Sequence, residues 1–121
     1  VSASQTFHGR EPTDLPIEEI DWSHRGDYIR SRSARKPGDF NVEPEWATEA
    51  AVDEERIVAA PDPASKSGET IRVVGYSESA NRVLVVILLP VNLPQIDGSW
   101  IGVNAWTANS TAMRAYHQRE G

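Results

Sequence analysis

The sequence predicts an α+β domain in which two helices precede a four-stranded, mainly antiparallel meander and one helix closes the chain, in the order α-α-β-β-β-β-α. Three observations predict it. Two runs rich in β-branched residues, 69–77 and 82–91, flank the polar turn Glu78-Ser79-Ala80-Asn81, which is hairpin chemistry. The second of these runs is apolar at successive positions from Val83 to Leu89, so it belongs in the middle of a sheet with both faces covered by helices. The length, 121 residues, suits one hydrophobic core rather than two.

Taken in order, residues 1–16 are polar, contain Gly9, Pro12 and Pro16, and show no periodicity, so a flexible or loosely docked arm is expected ahead of a single domain at 17–121. From 17 to about 32, Ile17, Ile20, Tyr28 and Ile29 fall mostly at helical spacing, and Glu18, Glu19 and Asp21 suit a helix N-terminus. Gly26 weakens that helix and can divide it into a turn and a helix. A second helix is expected from Pro44 to near Asp53, because Pro44 suits a first helical position and Trp46, Ala47, Ala50 and Ala51 form an apolar stripe. Residues 56–60 read as a first strand stopped by Pro61-Asp62-Pro63, followed by a polar turn at 64–68 and the hairpin. After a loop at 90–98, residues 99–106 read as the last strand. Asn109 or Ser110 can then cap a helix through Met113, Tyr116 and His117, with Arg119 near its negative end.

Composition removes several kinds of chemistry. With no cysteine there is no disulfide framework, thiolate metal site or cysteine nucleophile, and three scattered histidines give little basis for a metal, so neither metal nor cofactor is expected. A formal charge of −6 argues against nucleic-acid binding by the whole surface and leaves room for a local basic patch. Residues 83–89 are too few to span a bilayer and no signal peptide is visible, so a cytoplasmic protein without membrane contact is expected.

The charge is polarised along the chain. Arg25, Arg30, Arg32, Arg35 and Lys36 concentrate positive charge that can meet RNA phosphates or an acidic partner, with His24 at their start as a candidate acid or base; solvated helix-end cations are the equal alternative. Glu43, Glu45, Glu49, Asp53, Glu54 and Glu55 form an opposing acidic face. Trp100 and Trp106 share parity on the last strand, so both are expected on one side, either stacking bases or anchoring a partner, or packed beneath a helix. Arg72, inside an apolar strand, must reach a carboxylate or point into a solvent-filled groove.

Several of these pieces, in this order and spacing, resemble the BrnT family of small RelE-like bacterial toxins over about residues 40–116. They are the Pro61-Asp62-Pro63 turn, Gly75-Tyr76-Ser77 at the end of a strand, Arg82 opening a Val/Leu-rich strand, Ala105, and Tyr116 in the closing helix. Where that family carries His-Gly this chain has Pro37-Gly38, where it carries Arg after the strand alanine this chain has Trp106, and its closing helix holds only Arg114 and Arg119 as arginines. The resemblance implies a toxin of a type II toxin–antitoxin pair, acting as a metal-independent endoribonuclease that inhibits translation. Its partners would be RNA and a cognate antitoxin, with DNA reached only through the antitoxin.

Such cleavage uses the substrate's own 2′-OH, a base, an acid and cations around the phosphorane. Arg72, Arg82 and Arg114 are the implied phosphate-binding groups, and Tyr76, Tyr116 and His117 complete the candidate catalytic set at a sheet–helix margin. Each has a plainer reading: Arg82 as a solvated strand end, the tyrosines as core-edge residues, His117 as exposed. A non-catalytic protein-binding module of the same fold is therefore the alternative function.

Overall fold

The computed structural model describes residues 6–93 and 95–118; residues 1–5, Pro94 and 119–121, Arg119 among them, lie outside the described residues. In chain order the elements are β1 (Glu19–Asp21), α1 (Gly26–Arg30), α2 (Arg32–Arg35), α3 (Pro44–Ala51), β2 (Ile57–Ala59), β3 (Ile71–Ser77), β4 (Arg82–Pro90), β5 (Ser99–Thr107) and α4 (Ser110–Gln118). The strands form one sheet in the order β1-β5-β4-β3-β2. From β2 to β5 neighbours are antiparallel, while β1 runs parallel to β5.

The two-faced apolar run is the centre of this arrangement. Leu84, Val86 and Leu88 of β4 join Ile71 and Val73 in a core that includes Ala47, Ala50 and Ala51 of α3. Val83, Val85 and Ile87 point the other way and meet Val74, Ala108 and Tyr116, the last from α4. Both faces are thus removed from water, as a strand without alternation requires. At the start of α4, Asn109 Oδ1 accepts the Ala112 N–H at 2.8 Å, an N-cap bond.

The α+β character is present, but the expected four-stranded antiparallel sheet behind two N-terminal helices is incorrect. The sheet is five-stranded and mixed, and the helix expected over 17–32 is replaced by a strand and two short helices. The physical reason is an edge. Glu19, Ile20 and Asp21 pair in parallel with Ser99, Trp100 and Ile101, and Glu18 N and Glu19 N both donate to Gly98 O at 2.9 and 3.0 Å. The partner lies about eighty positions along the chain, so no local periodicity reports it. Gly26 does divide the segment, since a turn at 23–25 leads into α1, which begins at this residue, and a Cβ there would touch Pro44 Cγ at 3.4 Å.

The described part of the N-terminal segment is docked. Phe7 and Leu15 are buried in the main core, and Trp100 Nε1 donates to Pro16 O at 2.8 Å.

A second correction concerns the tryptophans. Ile87 pairs with Asn104 but Leu88 pairs with Gly102, so Val103 is an extra residue in β5 that shifts the inside–outside alternation. Trp100 consequently lies wholly inside the α3-side core, whereas Trp106 lies on the α4 side with Val85. The parity argument fails because it assumed an unbroken ladder.

Candidate functional site

The bulge also sets the position of Trp106. Because β1 covers only the first part of β5, the remainder of that edge is closed by the α1–α2 segment, where Arg25 Nε donates to Val103 O at 3.1 Å. This brings α2 beside Trp106, and the Arg32 guanidinium carbon lies 5.6 Å from the indole centroid. From β3, opposite Ile87, the Arg72 guanidinium carbon lies 5.7 Å from the same ring. Each contact falls within cation–π range.

Two clefts share Trp106. One, of about 260 Å³, is lined by Arg32, Asp39, Phe40, Arg82, Trp106 and Thr107, and the Arg82 guanidinium rests 4.0 Å above the Phe40 ring centroid. The other, of about 480 Å³, includes Asp62, Ser65, Lys66, Arg72, Asn104 and Trp106. Two carboxylates hold the arginines: Asp39 Oδ2 is 2.9 Å from Arg32 Nε, and Asp62 Oδ1 is 2.9 Å from Arg72 Nε. Four cations therefore face two carboxylates across an aromatic floor, a locally positive surface on an acidic chain. A cationic groove beside a partly exposed indole suits single-stranded nucleic acid, which offers phosphates and unstacked bases together.

The other expected binding residues are occupied differently. Arg25 and Arg35 place their guanidinium carbons 3.9 and 3.6 Å from the Tyr28 ring centroid, and Arg35 Nη2 donates to Tyr28 O at 2.6 Å. Arg30 pairs with Asp27 at 2.8 Å and Glu43 at 3.1 Å. His24 lies 3.9 Å from Asp21, Lys36 is exposed, and Trp100 presents no surface. Of the basic run only Arg32 enters the groove.

The expected catalytic set is divided. Arg72 and Arg82 line the two clefts, while Tyr76, Tyr116, Arg114 and His117 line neither. Tyr76 donates its hydroxyl to Asn81 Oδ1 at 2.5 Å. Tyr116 is buried and donates to Asp53 Oδ2, also at 2.5 Å, and the same oxygen accepts the Tyr76 N–H at 2.9 Å. That N–H needs Asp53 because β2 pairs with β3 only from Arg72 to Val74. Arg114 and His117 are exposed on α4, with the imidazole edge-on to Tyr116.

The acidic face forms a separate concavity that includes Glu49, Asp53, Glu54, Glu55, Tyr76 and Glu78. Within it Glu49 accepts bonds from the Ser79 hydroxyl at 2.6 Å, the Ser79 N–H at 3.0 Å and the Ser77 hydroxyl at 2.8 Å. Led by the Ser79 hydroxyl, these bonds hold the Glu49 carboxyl below the ordinary glutamate range. A depressed folded pKa gives stability that is present above the unfolded pKa and lost as pH falls through the folded one. Glu49→Gln is therefore expected to melt below wild type at neutral pH, with the difference shrinking as the pH falls through and below the ordinary glutamate range, measured by thermal unfolding from neutral to acid pH.

Sequence reasoning missed Asp39, Phe40, Asp62, Lys66 and Asn104 as groove residues. Only Asp62 left a signal, since Arg72 demanded a carboxylate; the chain offers eighteen acidic residues and no local rule to choose among them. Among the described residues no three His, Asp or Glu side chains gather as metal ligands, and no helix is long and apolar enough to cross a membrane. Comparison with protein-family models, curated proteins and solved structures found no match.

Proposed function

We propose that this protein is the toxin of a type II toxin–antitoxin pair, and that it binds and cleaves RNA without a metal in the groove around Trp106, so inhibiting translation in the cytoplasm. One observation carries the reading: Arg32, Arg72 and Arg82, from three separate elements, converge on the clefts that flank Trp106. The resemblance of residues 40–116 to the BrnT family points to the same substrate.

In this reading Arg72 and Arg82 hold the scissile region and stabilise charge on the phosphorane, while Trp106, which borders both clefts, offers ring surface to a base and Phe40, stacked on Trp46 and covered by Arg82, supports that arginine. The substrate 2′-oxygen attacks the adjacent phosphorus, the bond to the 5′-oxygen breaks, and a 2′,3′-cyclic phosphate and a 5′-hydroxyl result. Asp39, which lines the same cleft as Arg82, is placed to accept the 2′-OH proton, and the leaving oxygen takes a proton from solvent. The antitoxin would cover the positive groove with a flexible acidic segment, and a separate dimeric part of it would bind DNA.

The test is incubation of purified protein with single-stranded RNA in the presence of a chelator. Products ending in cyclic phosphate from wild type, and none from Arg72→Ala/Arg82→Ala, are expected. One observation favours a second reading, a binding module without catalysis: Tyr76, Tyr116, His24 and His117 all lie outside the two clefts. RNA retention without products would select it.

A further inference from the structure

We propose that the cleft between the sheet and the 62–68 segment is a phosphodiester subsite in which Arg72 and Lys66 supply the positive charge and Asp62 is the positioning residue that orders both. The inference rests on the RNA reading above and names a part of the same site. It begins with Arg72. Its side chain is 32% exposed, its Nε is buried 2.9 Å from Asp62 Oδ1, and the Nε–H is not aimed at that oxygen well enough to make a hydrogen bond. The ion-pair contact is made by Nε, on the inner edge of the guanidinium, rather than by its two terminal nitrogens. Those nitrogens form the fork that binds two oxygens of a phosphate at once.

Asp62 is itself only 6% exposed, so it is too enclosed to serve as a substrate ligand. Its bonds run to the protein. Its N–H donates to Thr70 O at 2.8 Å, its Oδ1 accepts the Ala64 N–H at 3.3 Å, and its carbonyl accepts the Ser65 N–H at 2.9 Å. One residue thus ties β3's arginine to the start of the loop that carries Lys66. The loop is closed further on, where Ser65 Oγ accepts the Gly68 N–H at 3.0 Å and Ser67 Oγ accepts the Glu69 N–H at 3.2 Å. Lys66 is exposed and lines the same cleft as Arg72, with Trp106 at its flank.

A carboxylate inside an anion site lowers the local charge, so it needs a compensating role. Here two cations outnumber one carboxylate, and a fixed guanidinium loses less side-chain freedom on binding than a mobile one. A plain structural ion pair would stabilise the fold equally well but would make no difference to RNA once Arg72 had been removed or retained.

The experiment uses the full chain and a short fluorescein-labelled single-stranded oligoribonucleotide, followed by anisotropy over a range of salt, with melting temperatures in parallel. Arg72→Ala and Lys66→Ala are each expected to reduce the salt slope by about 1. Asp62→Asn, which keeps an oxygen for the Ala64 N–H, is expected to weaken binding about tenfold in the wild-type background and not at all in the Arg72→Ala background. An equal effect in both backgrounds would overturn the positioning role, and an unchanged slope for exposed Lys66→Ala would overturn the subsite. If the pattern appears without RNA cleavage, the subsite stands and the ribonuclease reading fails; if wild type cleaves RNA while these variants bind and cleave normally, the reverse holds. No binding by wild type overturns both.

Discussion

Gly75→Ala is expected to unfold the domain or to cost it at least about 3 kcal/mol, the largest stability effect of any single methyl addition here. A Cβ at that position would lie 1.9 Å from Ala50 O, 2.9 Å from Ala50 C and 3.1 Å from Asp53 Cβ. The first two are helix backbone, so relief requires α3 to lift from β3 rather than a side chain to turn. Lifting α3 would open the layer formed by Ala47, Ala50 and Ala51, and it would pull Asp53 from the Tyr76 N–H and the Tyr116 hydroxyl. Urea unfolding of the soluble variant measures the loss. Gly102→Ala is the informative companion, because its Cβ would meet the Trp22 ring at 2.4 Å. A ring can rotate where a helix cannot, so a smaller loss is expected there, accompanied by rupture of the 3.1 Å Trp22 Nε1 to Thr48 Oγ1 bond.

Arg72→Ala combined with Arg82→Ala is expected to weaken binding of single-stranded RNA by roughly 100-fold, taking about 1.5 kcal/mol for each charge-assisted contact. The two residues differ in what else they do. Arg82 is exposed and rests on Phe40, so its loss should leave stability nearly unchanged. Removing Arg72 leaves Asp62 enclosed without its cation, at a cost of about 1–3 kcal/mol, so its effect on RNA must be read beside its melting temperature. Trp106→Ala should weaken binding without changing the salt slope, since stacking releases no counterions. Equal weakening by exposed Arg114→Ala, which lies outside both clefts, would show that binding follows total charge rather than the groove.

Much of the fold was legible because its strongest signals are local. The hairpin appeared through β-branched runs and a turn whose Asn81 takes a positive φ of 54°, a conformation asparagine tolerates. The alanine stripe of α3 and the Asn109 cap of α4 are likewise readable from neighbours. The failures depend on distant parts of the chain. The parallel pairing of Ile20 with Trp100 exists only once β5 offers an edge, and the same isoleucines satisfy helical spacing by coincidence. The bulge at Val103 had one local mark, Gly102 inside the strand, which the parity argument passed over, and it moves Trp106 to the face opposite Trp100.

The candidate site was legible in its cations and less so in its arrangement. Arg72 and Arg82 could be named because strand positions demand explanation. Nothing local distinguished Arg32 from Arg25, Arg30 and Arg35, which differ only in the tertiary partners they meet. The tyrosines were drawn to catalysis by resemblance, and packing assigns Tyr116 to the core through Asp53. Lys66 lay in a polar turn where lysine is ordinary, and it became a candidate only when the turn was found to border Arg72.

The most direct test of the central claim is induced expression of wild type and of Arg72→Ala/Arg82→Ala, matched for soluble protein, while growth and translation are followed. Arrest of both by wild type, with neither arrested by the variant, is the predicted result. Undiminished arrest by the variant would place the activity outside the Trp106 groove, and no arrest by wild type would contradict the toxin assignment itself.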